Sequence, residues 1–116
     1  MSRALRVMAG PIGGVLTGGL GAGLLGWAWR TCDIGINGAA NSFSLALVFL
    51  ALTAVATLWW WFAPARFGVA GPAIAVLGSL LLVWGVLAWL HAPDGYPAPF
   101  CPPGNVPPWW PELLPL

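Results

Sequence analysis

The sequence predicts an all-α integral membrane protein. Three transmembrane helices form a bundle with the N-terminus cytoplasmic and the C-terminus outside, and an extended tail rich in proline and tryptophan follows on the outer side. Three observations lead to this reading. Only seven of the 116 residues are charged (Arg3, Arg6, Arg30, Asp33, Arg66, Asp94 and Glu112), 6% of the chain, where soluble domains average about 25%. Hydrophobic residues make up 59%, and the mean hydropathy is +0.86. Three uncharged apolar stretches are each long enough to cross a bilayer core, which takes about 20 helical residues, and helix breakers separate them.

The same figures exclude several functions. So few charges cannot solvate a surface in water, which excludes an ordinary soluble enzyme. A net charge of +1 offers no field to a polyanion, so no nucleic-acid partner is expected. The first partner is the lipid bilayer, and the expected location is the cell membrane, crossed several times.

The first span covers residues 11–29 (PIGGVLTGGLGAGLLGWAW), the second 43–63 (FSLALVFLALTAVATLWWWFA) and the third 69–90 (VAGPAIAVLGSLLLVWGVLAWL). At the α-helical rise each is roughly 28–33 Å long. Asp33, Gly35, Asn37, Gly38, Asn41 and Ser42 make a polar loop after the first span, with Asn41 or Ser42 suited to cap the second helix. Pro64, Arg66 and Gly68 make a short turn before the third span. Pro72 then falls in the first turn of a helix, where proline is tolerated. Residues 1–91 thus form the transmembrane domain and 92–116 the outer tail. A rival reading takes residues 1–28 as a cleaved signal peptide, but the apolar stretch exceeds an ordinary h-region and tryptophans flank the cut.

Orientation follows from the arginines. Arg3, Arg6 and Arg66 fall on one side of the membrane and Arg30 alone on the other, so the richer side is cytoplasmic. The three acids and His91 then lie outside. Trp27, Trp29 and Trp89 would mark the outer interface, and Trp59, Trp60 and Trp61 the inner one. Trp84 is too deep for such a belt and is expected to pack or hydrogen-bond within the bundle.

Gly10, Gly14, Gly18, Ala22 and Gly26 recur every four residues along the first span, a run of overlapping G-x-x-x-G motifs, with Gly19 and Gly23 as a second pair. Gly13 and Gly21 lie off this line, so more than one face is smooth. Positions four apart share a helix face, and a face without side chains lets another backbone approach closely. The neighbour is either this chain's own second and third spans or a partner subunit. The third span repeats the pattern in shorter form at Gly71, Ala75 and Ser79. The simplest bundle has the first span at its centre and the other two as a hairpin beside it.

Cys32 and Cys101 are the two cysteines, and the threading puts both outside, where oxidation favours a disulfide. Free thiols are the alternative. A metal site is disfavoured, because these cysteines and His91 lack the close spacing of structural zinc ligands. The tail carries too many prolines for a helix and too much apolar surface for disorder. Its Trp109 and Trp110 are expected either at headgroup level or in a groove on a partner.

No span holds an ionisable residue, which argues against a proton-coupled transporter or pump. Arg30, Asp33, His91 and Asp94 gather at the outer side, but a histidine at a helix C-terminus is ordinarily there for the helix dipole. The expectation is therefore no enzyme, no cofactor and no metal. The leading functional reading is an accessory or assembly subunit of a larger membrane complex, in contact with other membrane subunits. The alternative is a homo-oligomeric pore or small transport unit built on the glycine-rich first helix.

Overall fold

The computed structural model describes residues 2–32, 38–91, 101 and 106–116, without the side chains of 38–40. The loop positions Asp33, Gly35 and Asn37 and the tail positions Pro93, Asp94, Tyr96 and Phe100 lie outside the described residues. The described elements are helices: α1 (Arg3–Cys32), α2 (Gly38–Phe67), a short 3-10 turn (Gly68–Ala70) and α3 (Gly71–Leu90). Two stretches, Arg3–Cys32 and Asn41–Leu90, are long and apolar enough to cross a membrane. The second reverses direction at Gly68, whose φ of 61° is open to glycine at no steric cost.

α1 begins eight residues before the expected start at Pro11. Ser2 caps it: the Ser2 hydroxyl accepts the Leu5 amide at 3.2 Å, and the Ser2 carbonyl accepts that of Arg6 at 3.1 Å. This is the geometry that satisfies an orphan donor of the first turn. Pro11 consequently lies inside the helix. Arg30 sits in the last turn, where a cation suits the dipole.

α2 also begins earlier than expected. It starts at Gly38, so Asn41 and Ser42 lie in its first turns rather than capping it. Ala39 and Ala40 are strong helix formers and extend the helix toward α1. At the far end α2 runs through Pro64 to Phe67. The turn expected from Pro64 to Gly68 is thereby confined to Gly68–Ala70. Pro72 lies in the first turn of α3, and Gly71 donates to the Gly68 carbonyl. α3 and α2 meet closely at this corner, since a Cβ on Gly71 would lie 2.9 Å from the Ala63 carbonyl oxygen.

α1 and α2 form the principal pair, and α3 touches both less extensively. The expected arrangement with α1 at the centre is replaced by an α1–α2 pair with α3 laid against it. Bulky residues concentrate at the end where α1 finishes: Leu25, Trp29, Cys32, Val83, Leu87 and Cys101 form the buried cluster. Elsewhere α1 meets its neighbours through small residues, mostly glycines.

Candidate functional site

The seam between α1 and α2 follows a simple register. Gly10 faces Trp61, Gly14 faces Thr57 and Gly18 faces Thr53, so each four-residue step up α1 matches a four-residue step back along α2. Gly13 lies beneath the Trp60 ring and Gly21 beneath Leu52, while a Cβ on Gly26 would lie 3.0 Å from Leu45. Gly13 and Gly21 were expected off the main line, yet both are buried in the seam. Gly21 also lies near Val83 of α3, so it faces both neighbours. Ala22 is half-buried and lines a cavity beside the seam. Gly19 and Gly23 lie outside the seam, with nothing within 4 Å of where a Cβ would be.

A Cβ at Gly14 would lie 2.7 Å from the Thr53 carbonyl, and one at Gly18 would lie 2.9 Å from that of Phe49. The Hα atoms that occupy those directions point at α2 oxygens, among them Thr57 Oγ1 and Thr53 Oγ1. Such Cα–H···O contacts are worth about 0.5–1 kcal/mol each. Thr53 Oγ1 is buried with no conventional hydrogen-bond partner, and the Gly18 contact is what it has instead. Thr17 and Thr57 instead donate to carbonyls of their own helices, Gly13 at 2.7 Å and Thr53 at 2.6 Å.

The tryptophan triplet of α2 joins the helices. Consecutive residues are 100° apart around a helix, so each ring faces a different way. Trp59 donates to the Ala75 carbonyl at 3.1 Å, Trp60 to Ser79 Oγ at 2.8 Å and Trp61 to the Val7 carbonyl at 3.0 Å. Trp60 lies over Gly13 of α1 while it bonds to α3, so its side chain links all three helices. Gly71, Ala75 and Ser79 are buried along the side of α3 that faces α2. The indole N–H groups expected at the inner interface are all engaged inside the chain.

At the opposite end the tail is anchored. Cys32 and Cys101 form a disulfide with Cα atoms 5.3 Å apart, and both are buried. Trp109 stacks on Trp27 with centroids 4.2 Å apart and planes 11° apart, and it donates to Thr31 Oγ1 at 3.1 Å. Trp110 packs against the buried cluster together with Leu116. Trp84 donates to the Pro115 carbonyl at 2.8 Å, and Trp29 to the Leu90 carbonyl at 3.0 Å. Two turns shape the segment, with the Trp110 amide on the Pro107 carbonyl at 3.0 Å and the Leu114 amide on that of Pro111 at 3.2 Å. The surface on which Trp109 and Trp110 were expected to lie is supplied by α1 and α3 of the same chain.

His91 is buried at the same end, with Nδ1 3.0 Å from the Leu87 carbonyl and 3.2 Å from that of Ala88. Against carbonyl oxygens Nδ1 is the nitrogen that carries the hydrogen. Arg30 is exposed at the same end, while Asp33 and Asp94 lie outside the described residues. The residues that sequence reasoning missed are Trp60 as the junction, Thr53 against Gly18, and the pairing of Trp61 with Val7. The last had a readable signal, a proline inside a helix, but its partner depends on register. The chain matches no family model, no curated protein and no solved structure.

Proposed function

We propose that this chain is a non-catalytic integral protein of the cell membrane that acts as an accessory or assembly subunit of a larger membrane complex. It crosses the bilayer three times as a helical bundle, N-terminus cytoplasmic. The observation that carries the reading is a furrow of about 490 Å³ between α2 and α3, lined by Val55, Trp59, Leu81, Gly85 and Trp89. A Cβ on Gly85 would meet nothing within 4 Å, and Trp89 is 78% exposed. In lipid, a smooth apolar furrow with an aromatic wall suits close packing of a partner's transmembrane helix.

The threading has two supports. Arg6 lines one cavity with Gly68 and Val69, so the N-terminal arginines and the α2–α3 turn share an end. The disulfide at the other end suits an oxidising compartment. The alternative of a homo-oligomeric pore needs the Gly10–Gly26 face of α1 as its lining. Against it, α2 lies on that face and Thr17 Oγ1 is bonded to its own helix.

The test is the native mass of tagged full chain from its own host in gentle detergent, with co-purifying chains identified. A fixed stoichiometry with a larger membrane protein is the expected result. A closed ring of this chain alone would put the pore reading first, and a bare monomer would contradict both.

A further inference from the structure

Beside the glycine seam, where α1 ends and α2 begins, a cavity of about 380 Å³ opens between the two helices. Arg30, Asn41 and Ser42 form its polar rim, and Ala22, Gly23 and Gly26 form its floor. Its size falls in the range of about 300–1,000 Å³ typical of small-molecule sites. Among the described residues no acid lines it: Glu112, the one acid among them, lines a different pocket. Among the described residues the rim carries one charge, that of the Arg30 guanidinium, set between the last turn of α1 and the first turns of α2. The floor is smooth for a different reason than the seam: Gly23 has nothing within 4 Å of its Cβ direction. Gly19, one turn further along α1, is equally open, so the surface of α1 beyond the cavity is bare there as well.

We infer that this cavity binds an anionic phospholipid. The phosphate sits at the rim against the Arg30 guanidinium and the Ser42 hydroxyl, and a methylene chain lies along the furrow over Gly23 and Gly19. The inference rests on the membrane reading above, which brings the rim to headgroup level and the furrow to the acyl chains. A guanidinium recognises phosphate through charge-assisted hydrogen bonds. A free anion would fill the rim but leave the furrow empty. A zwitterionic headgroup would bring an ammonium, for which the described lining residues offer no carboxylate. Those two differences set the ligand class.

The test uses the full, oxidised chain reconstituted into mixed phosphatidylcholine–phosphatidylglycerol vesicles, then released into detergent for native mass spectrometry. Wild-type protein is expected to float with the vesicles and to retain one phosphatidylglycerol in preference to phosphatidylcholine. Arg30→Gln is expected to lower that retention about tenfold, the effect of one charge-assisted hydrogen bond. Gly23→Leu puts a side chain into the cavity from a position whose Cβ direction is open and is expected to lower it comparably. Leu80→Ala, at an exposed position of α3 outside both cavities, is expected to leave it unchanged. The intact mass of the Cys32–Cys101 bridge verifies folding of each variant. Equal retention by Arg30→Gln and wild type overturns the inference, as does equal loss in Leu80→Ala and Gly23→Leu. Displacement of the lipid by inorganic phosphate at equal concentration would leave a phosphate site and overturn the lipid assignment. Wild-type chain that fails to float overturns the membrane reading itself. Floating chain without lipid preference overturns only this inference.

Discussion

The indole Nε1 of Trp61 donates to the carbonyl of Val7 at 3.0 Å, across the seam between α2 and α1. That carbonyl is the one whose helical donor is missing, because the residue four positions on is Pro11. The proline opens a hydrogen-bonding vacancy in α1, and a tryptophan from the facing helix fills it. The same ring covers Gly10, so packing and polar satisfaction come from one side chain.

Trp61→Phe keeps a ring over Gly10 and removes the donor. It should destabilise the fold by about 1 kcal/mol, the usual worth of a hydrogen bond whose loss leaves its partner unpaired. In a Pro11→Ala background the helix regains its own donor to Val7, so the same substitution should cost distinctly less. A double-mutant cycle in a denaturing-detergent titration reads the coupling directly.

Glycines along α1 should separate by sign. Gly14→Ala and Gly18→Ala place a methyl against backbone carbonyls of α2 and should destabilise by about 1–3 kcal/mol, the range for overpacking. Gly19→Ala and Gly23→Ala meet nothing and should be neutral or stabilising by about 0.5–1 kcal/mol through helix propensity. The same titration, followed by tryptophan fluorescence, measures all four.

Trp60→Ala should be the most damaging single change in the seam, at about 3–5 kcal/mol for a large aromatic. It removes the cover of Gly13 and the bond to Ser79 together. Ser79→Ala removes only an acceptor for the indole and should cost about 1 kcal/mol.

Replacing Cys32 and Cys101 by serine should free the tail. A bridge spanning 69 positions gives about 4 kcal/mol by the loop-entropy formula. The helix packing already restrains the chain, so the expected loss is nearer about 2 kcal/mol, the low end of the usual range. The tail should then become sensitive to protease, and the Trp27–Trp109 stack should disappear from the near-UV circular dichroism.

Much of this architecture was legible because it depends on composition and local rules. Charge-free apolar stretches mark the helices, and their order is the one observed. Cys32 and Cys101 pair as their common side of the chain suggested. Helix ends were less legible. Ser2 and Ala39–Ala40 extend the helices by capping and propensity, whereas the hydropathy that marked the spans ignores both. Pro11 reads as a boundary because its missing amide is costly, and that cost is removed only by a residue 50 positions away in sequence. Trp109 and Trp110 read as a sticky surface awaiting a partner. Their true seat on Trp27, Thr31 and the cluster around Leu25 is built by tertiary contacts that no local pattern encodes. The cavity at Arg30 depends in the same way on the α1–α2 register.

The most direct test of the threading is cysteine accessibility in intact cells, with single cysteines at Ser2, Val69 and Leu113. The native pair is bridged and does not react. Val69 and Leu113 are 103% and 95% exposed, so burial within the chain does not limit labelling at either. A membrane-impermeant maleimide should label Leu113→Cys in intact cells, and should label Ser2→Cys and Val69→Cys only after permeabilisation. Labelling of Val69→Cys from outside, or of Leu113→Cys only from inside, would contradict a three-span chain with its N-terminus in the cytoplasm.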